Sequence, residues 1–330
     1  MKGFFGKILK IDLSRRKTEI ESISNETYRR TFGGKGLALH LLLRDNPPGV
    51  DPLGPENRLI FAAGPTTGSP IWGSCRHGVF TKSPQTGFFS ESYSGGTAAE
   101  PMARAGYDAV IVYGAAENPV WIEVGDESAQ IHDAGPLWGL DTYATEDAVK
   151  AWIREHRPGA GKAGVVVIGP AGENQVVFSV IENDYWRSAG RTGVGAVMGA
   201  KMVKAVAFHG RSKRIFADPA ALKVFAKSLS ARSKEDAGVK AYKTLGTPML
   251  VKMTNTAGAF PNRIILLFIP PLNSADISNN ISSRLVMTSL SLLKSTPAKT
   301  EIKKVKTPAI RIIATILNKT PSFESADIKL

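Results

Sequence analysis

The residues with the clearest chemical potential lie between Arg187 and Gly210, where the sequence is RSAGRTGVGAVMGAKMVKAVAFHG. Arg187 and Arg191 stand directly before a Gly-x-Gly pattern and a run of small residues that predicts a short helix. A guanidinium can form two parallel hydrogen bonds to a phosphate or carboxylate group. The first N–H groups of a helix lack intrahelical partners and also bind anions. This stretch therefore indicates an anion site.

An earlier stretch repeats the same plan. Residues 94–114, SGGTAAEPMARAGYDAVIVYG, and residues 193–210 each combine a glycine-rich turn, a short helix of small residues and an apolar strand closed by glycine. Two such units predict two anion sites, each close to arginine. The alternative is that both glycine clusters only allow close packing of a helix on a sheet.

The sequence gives weaker evidence for other kinds of site. GVGAVMG resembles a dinucleotide-binding fingerprint, but RSAGRT separates it from the preceding strand and no acidic residue ends a second strand about 20 positions later. Arg76, in GSCRHGVFTKSP, can bind phosphate or form a surface ion pair. The single cysteine, Cys75, excludes a disulfide and any four-cysteine metal site within these residues. The five histidines show no metal-ligand spacing.

The net charge of +13 over 330 residues indicates a surface that could attract nucleic acid, anionic lipid or a phosphorylated ligand, or one that is only solvated. No Lys/Arg block resembles a nucleic-acid-binding arm. The N-terminal residues lack the apolar core of a signal peptide, and no run approaches the roughly 20 apolar residues of a membrane helix. These features predict a soluble, cytoplasmic protein without membrane or nucleic-acid partners.

The surrounding pattern predicts alternating strands and helices. Hairpins are predicted at 6–23 and 119–134, helical pieces around Gly-Gly-Lys-Gly at 26–45, strands at 58–65, 163–174 and 176–184, two strands around Ser83-Pro84, a helix at 144–157 with Thr145 as N-cap, and helices from 218 onward. All 32 glycines precede Phe260, and no Gly, Trp, Tyr or Cys follows Arg263. Residues 264–330 are therefore predicted to be a separate tail, disordered or helical, or a reading-frame artefact.

Six motifs together carry a family resemblance: FGGKGLALHLLL, ENRLIFAAGPTTG, RHGVFTKSPQTGFFSESYSGG, AGYDAVIVYG, IGPAGEN and RSAGRTGVGAVMGAKMVKAVAFHG. In this order they resemble the N-terminal domain of the tungsten-containing aldehyde:ferredoxin oxidoreductase family, over about residues 1–263. The resemblance implies an α+β fold, in which two β-sheets with short helices form a pterin-cofactor base at 1–210. GTPMLVKMTNTAGAFPNR resembles the start of the family's helical domains, which implies a helical segment at 211–263 and a non-family tail at 264–330.

The resemblance also implies a cofactor and its contacts. The family holds tungsten, or molybdenum, between two pterins whose phosphates are bridged by magnesium, and carries a [4Fe-4S] cluster. It oxidises aldehydes to acids with ferredoxin as acceptor, and a homodimer is an open expectation. The positions that match the family's cofactor contacts are Arg76, Tyr93, Ser94, Gly95, Arg187, Ser188, Gly190 and Arg191. Tyr93 departs from the usual asparagine, which leaves open whether its backbone or its side chain makes the contact.

The family's C-x-x-C-x-x-x-C run, its fourth cysteine and its proposed catalytic Glu and His have no counterpart in these residues. No catalytic residue and no metal ligand is therefore predicted. We expect a truncated or frame-shifted member that holds the cofactor base and is inactive alone. A non-catalytic pterin- or phosphate-binding module, a benzoyl-CoA-reductase-type subunit and, from charge alone, a nucleic-acid-associated protein are the alternatives.

Overall fold

The computed structural model describes residues 1–126 and 128–257. Within them lie twelve strands: β1 Lys7–Asp12, β2 Lys17–Ser22, β3 Leu59–Ala63, β4 His77–Lys82, β5 Phe89–Ser94, β6 Ala109–Tyr113, β7 Val120–Val124, β8 Ala129–Asp133, β9 Gly164–Val167, β10 Ile181–Asn183, β11 Arg187–Ala189 and β12 Val203–Phe208. The helices are α1 Asn25–Thr31, α2 Gly34–Asp45, α3 Ala99–Arg104, α4 Thr142–His156, α5 Pro170–Glu173, α6 Val194–Ala200, α7 Pro219–Glu235, α8 Ala237–Leu245 and α9 Met249–Thr256, with a 3₁₀ turn at Gly135–Leu137.

The strands form two six-stranded mixed sheets, as the predicted α+β class requires. The first sheet has the order β2-β1-β6-β3-β4-β5 and the second has the order β8-β7-β12-β9-β10-β11. In each sheet only the second and third strands are parallel, β1 with β6 and β7 with β12. Residues 1–114 and 115–210 therefore have the same topology. The sequence analysis recognised only the last part of this repeat, the helix and strand that close each half.

Three apolar layers hold the sheets. The inward faces of both sheets share one core, where the rings of Phe61 and Phe208 meet edge to face at 6.1 Å. Helix α2 covers the outer face of the first sheet through residues such as Leu41, and α4 covers the second through residues such as Ile153. Because β3 and β12 are covered on both faces, β3 is continuously apolar and β12 departs from this only at Lys204, which is buried and paired with Glu173.

Two predictions about local structure are wrong. Helix α4 is capped by Asp141, whose carboxylate accepts a hydrogen bond from the backbone N–H of Ala144 at 2.8 Å. Thr145 lies inside the first turn and donates its hydroxyl to the Asp141 carbonyl at 2.6 Å. The strand expected over 176–184 is restricted to β10, because a turn closed between Ser179 N–H and the Val176 carbonyl interrupts it.

Smaller differences concern glycine-rich segments. The break between the predicted helical pieces lies at Phe32–Gly33: Gly33 is the N-cap of α2, and the other three residues of Gly-Gly-Lys-Gly form its first turn. The strand expected over 163–174 ends at Val167, and Pro170 then begins the short helix α5. Pro170 suits that position because the first helical N–H has no partner to lose.

The chain divides into one compact unit over Met1–Lys234 and another that begins at Glu235. The helical pattern predicted from residue 218 is confirmed by α7, α8 and α9. No helix in the described part of the chain is long and apolar enough to span a membrane. The predictions about 264–330 lie outside the described residues.

Candidate functional site

Strands β5 and β11 are the edge strands of the two sheets, and the candidate residues lie where these edges meet. Alternate residues of β5 face inward, so the three serines Ser90, Ser92 and Ser94 are buried. Ser94 donates its hydroxyl to the Asn183 side-chain carbonyl at 2.6 Å, and the Ser92 hydroxyl accepts from the backbone N–H of Arg191 at 2.9 Å. These contacts bring two predicted segments together across about 95 residues of sequence.

Asp184 joins the same two segments. Its carboxylate accepts from the backbone N–H of Thr97 at 2.6 Å and from the Thr97 hydroxyl at 2.7 Å. Partial burial raises the pKa of Asp184, but these hydrogen bonds outweigh it and the pKa lies below its usual value. Gly96 has a φ of +88°, and a Cβ there would overlap the Asp184 carboxylate. Only glycine fits this junction.

Glu146 of α4 fixes the turn that carries Asp184. Asp184 and Tyr185 have left-handed φ values of 48° and 65°, and their backbone N–H groups donate to the Glu146 carboxylate at 3.0 and 3.1 Å. Lys150 pairs with the same buried carboxylate. The sequence analysis missed Glu146 and Asp184, because each acts through partners that are distant in sequence.

The three candidate arginines have no acidic partners in the described part of the chain. The side chains of Arg76, Arg187 and Arg191 are exposed, and among residues 1–126 and 128–257 no carboxylate lies within ion-pair distance of them. The surface ion pair that was the alternative for Arg76 is therefore absent from this part of the chain. A Cβ on Gly95 would lie 3.8 Å from Arg76 Nε, and one on Gly96 would lie 3.1 Å from Arg187 Cγ. Arg76 and Arg187 thus flank the Gly95–Gly96 pair.

Tyr93 and Ser188 lie on the opposite faces of their strands from Ser94 and Arg187. The Tyr93 ring packs edge-on against Phe80 at 5.8 Å, and its hydroxyl donates to Glu91 at 3.1 Å. Burial and Glu91 raise the pKa of Tyr93 to about 12. Ser188 donates its hydroxyl to Glu182 at 2.6 Å. The Tyr93 hydroxyl is thus already engaged by Glu91, whose pKa is lowered by Lys35, by the Tyr93 hydrogen bond and by the charge of Arg191.

The glycines near the arginines and the glycines of α6 have different structural roles. A Cβ on Gly193, Gly195 or Gly199 would approach the carbonyls of Val177, Val180 and Gly172 more closely than the 3.0 Å that real Cβ atoms keep. The packing alternative therefore accounts for the cluster in α6. Gly95 and Gly190 have only ordinary contacts and leave room beside the arginines. The Thr97 N–H just before α3 is taken by the Asp184 carboxylate, and the Gly195 N–H in the first turn of α6 donates to the Ser179 carbonyl at 3.1 Å.

His77 is the unexplained polar residue of this edge. It pairs with Ser94 in the β4–β5 register and is 1% exposed. Neither ring nitrogen has a hydrogen-bond partner among the described residues. Burial lowers the pKa of His77 to about 4, although the charge of Asp184 opposes this. The imidazole is therefore neutral at pH 7.

These features define a class: a two-sheet α+β base with a basic, glycine-lined edge suited to oxyanions. The chain matches the family model for the aldehyde ferredoxin oxidoreductase N-terminal domain over residues 8–210. It is 40% identical over 267 residues to the tungsten-containing aldehyde ferredoxin oxidoreductase of Thermococcus kodakarensis, covering 80% of this chain and 43% of the relative. The chain therefore belongs to the aldehyde ferredoxin oxidoreductase family, a family of oxidoreductases.

Further relatives extend this picture. The enzyme of the same description from Pyrococcus furiosus is 40% identical over 265 residues, covering 79% of this chain and 42% of the relative. Among solved structures, the active-site complex of benzoyl-coenzyme A reductase with 1,5-dienoyl-CoA superposes with a TM-score of 0.67 and 34% identity, covering 71% of this chain and 35% of that chain. This chain thus spans less than half the length of these relatives.

Proposed function

We propose that the edge formed by β5 and β11 binds the phosphates of a tungsten or molybdenum bis-pterin cofactor. The observation that carries this proposal is the set of three guanidinium groups, on Arg76, Arg187 and Arg191, without acidic partners among the described residues. Such groups are stabilised when a phosphate supplies the missing negative charge and acceptor atoms.

The residues at this edge fit a phosphorylated ligand. Gly95 has no Cβ to obstruct the approach of a ligand to Arg76. There is open space here, since a Cβ added at Gly95 would have Arg76 Nε, at 3.8 Å, as its nearest neighbour. The hydrogen bonds from Ser94 to Asn183 and from Thr97 to Asp184 hold the segment that contains Gly95 against the second half of the molecule. We infer that Arg76 and Arg187 bind phosphate beside Gly95, and that Arg191, with Gly190 and Ser188, serves the second half of the cofactor. Tyr93 would contribute through its backbone, beside a bridging magnesium.

In an enzyme of this family the bound cofactor would supply the two-electron oxidation of an aldehyde to a carboxylic acid, with electrons passed on to ferredoxin. The part played by this chain is to bind and orient. Its 330 residues contain one cysteine, so they cannot ligate a four-cysteine cluster by themselves. We therefore propose that these residues hold the cofactor without turning over aldehyde, in the cytoplasm, and that ferredoxin contact and homodimer formation belong to the longer proteins of the family.

A benzoyl-CoA-reductase-type subunit is the second candidate, favoured by the structural likeness to the benzoyl-coenzyme A reductase complex. For both candidates we propose the same edge as the cofactor site. A pterin-binding module without catalysis would also use it, so cofactor binding is the property to test first.

The test is to produce the full chain in a host that makes tungsten pterins and to measure its content of tungsten and pterin. We expect the double variant Arg76→Met/Arg187→Met to retain less than about one tenth of the wild-type pterin, because charge-assisted hydrogen bonds contribute about 1.5–3 kcal/mol each. Arg29→Met, an exposed arginine of α1, is the matched control and should retain it all. A folded wild-type chain without pterin, or a double variant that keeps it, would contradict the proposal.

A further inference from the structure

A second basic site lies in a cavity of about 680 Å³ beside α3. Its wall includes Arg104, Arg211, Lys213 and Arg214, with Glu100 as the only acidic lining residue among those described. It does not include Arg76, Arg187 or Arg191. The cavity is therefore distinct from the edge between β5 and β11.

Arg214 is the central group of this cavity. Its side chain is 2% exposed, and Nη1 donates to Asp108 at 2.9 Å and to the Gly3 carbonyl at 2.8 Å. Nε and Nη2 have no acceptor among the described residues. These two N–H groups form the side of a guanidinium that binds both oxygens of an oxyanion. Buried donors without acceptors are rare in folded proteins, so this pair calls for an acceptor from outside the chain.

The segment that carries these cations is held rigidly. The backbone N–H groups of Arg211 and Ser212 donate to Asp126 at 2.8 and 2.9 Å, and Ser212 N–H also donates to the Arg104 carbonyl at 3.0 Å. Ile215 accepts from the Gly3 N–H at 2.7 Å. A site that is fixed before binding loses less conformational entropy when a ligand enters.

The charge balance selects the class of ligand. Arg104 pairs with Glu100 at 2.6 Å, and Arg214 pairs with Asp108. The guanidinium of Arg211 donates to the Gly159 carbonyl, and Lys213 has no partner in the described part of the chain. Two positive charges on the wall are therefore unpaired. A phosphate group, with a charge of about −1.5 to −2 at pH 7, matches them better than a single carboxylate does.

We propose that this cavity binds a phosphate-bearing small molecule. The free Nε–Nη2 side of Arg214 donates to the phosphate oxygens, and Lys213 and Arg211 supply the remaining positive charge. Both nitrogens are shielded from solvent, so binding requires a shift of the side chains that cover them; Phe5, whose ring centre lies 4.4 Å from the Arg214 guanidinium, also lines the cavity.

The experiment is an isothermal titration of the full chain with orthophosphate, and separately with acetate, at an ionic strength held constant with chloride. We expect saturable binding of phosphate and none of acetate. Lys213→Met should weaken phosphate binding by about ten-fold, since one charge-assisted contact is lost. Because the basic edge between β5 and β11 also binds phosphate in our proposal, the titration is repeated in the Arg76→Met/Arg187→Met background, where Arg211→Met/Lys213→Met should abolish the binding that remains. Circular dichroism establishes that each variant is folded, which is expected because the Lys213 side chain contacts no partner among the described residues.

Arg76→Met is the matched control, because it removes an arginine from the other basic edge and leaves the cavity unchanged. If phosphate binding is lost in Arg76→Met and kept in Arg211→Met/Lys213→Met, the ligand occupies the pterin-phosphate edge and the cavity proposal is wrong. Absence of saturable phosphate binding in the wild type would also overturn it. Pterin content is measured independently of phosphate titration, so the two proposals fail separately.

Discussion

Hairpin β4–β5 in the first half of the molecule and hairpin β10–β11 in the second occupy equivalent places in their sheets, yet their residues differ in character. At the same register position, His77 opposite Ser94 in the first hairpin corresponds to Ile181 opposite Ala189 in the second. The first pair is polar and the second belongs to the shared apolar core. The repeated topology therefore supplies one scaffold, while the side chains give the first hairpin a buried polar pair and the second hairpin an apolar pair at the same position.

Glycines differ between the halves in the same way. Gly95 leaves open space beside Arg76, whereas Gly199 lets α6 lie directly against the backbone of α5. The contrast shows that glycines in similar patterns can leave open space at one position and allow close backbone packing at another.

The largest expected effect comes from replacing the packed glycine, Gly199, by alanine and comparing the result with the same change at Gly95. Gly199→Ala places a Cβ against the Gly172 carbonyl, which is backbone and cannot move aside. We expect a loss of about 3 kcal/mol or more in the free energy of unfolding, at the upper end of overpacking costs. Gly95→Ala, with its nearest neighbour at 3.8 Å, should change it by less than about 0.5 kcal/mol. Urea unfolding of the full chain measures both, and equal stabilities would refute the contrast.

A second prediction replaces His77 by its counterpart in the other half. The native pKa of His77 is about 4, against an ordinary value of 6.5. Between these pH values the unfolded chain binds a proton that the native protein does not, so wild-type stability falls as the pH falls from 6.5 to 4. This loss amounts to about 2–3 kcal/mol and is absent above pH 6.5. His77→Ile should remove it.

The measurement is the free energy of unfolding of both proteins at pH 7 and at pH 4. His40→Gln, which alters an exposed histidine, is the control and should follow the wild-type pH dependence. At pH 7, His77→Ile should also be more stable than the wild type, because it removes two buried nitrogens without partners. If the free energy of unfolding of His77→Ile still falls between pH 7 and pH 4 as in the wild type, the loss does not come from the lowered pKa of His77, and the prediction is wrong.

The smallest effect concerns the link between the halves. Asp184→Asn replaces one of the two carboxylate oxygens that accept hydrogen bonds from Thr97. The new NH₂ group is a donor and faces the N–H or the hydroxyl of Thr97, so one hydrogen bond is lost. We expect a cost of about 1–2 kcal/mol at pH 7. Asp147→Asn in α4 is the control, since among the described residues its exposed carboxylate accepts only the hydroxyl of Tyr185, the residue after Asp184, at 2.6 Å; it should cost a few tenths of a kcal/mol. Equal effects of the two changes would show that Asp184 does not join the halves.

Local patterns predicted most of the secondary structure. Continuous apolar runs marked β3 and β6, alternation marked the hairpin of β7 and β8, and amphipathic spacing marked α4. The failures were Thr145 and the strand over 176–184. In both cases a neighbouring residue offered a competing hydrogen bond: Asp141 took the N-cap, and Val176 closed a turn with Ser179.

By itself the sequence determined the element types, the family and the residue types at the basic edge, because these depend on local spacing and composition. The predicted domain boundary at 210 and the assignment of individual cofactor contacts stay predictions. Only the tertiary structure decided that Ser94 meets Asn183, that Asp184 meets Thr97, and that Arg76 meets no acidic residue in the described part of the chain. The physical reason is that these contacts depend on the order of strands in two sheets, and segments about 90 residues apart carry no local signal of their pairing.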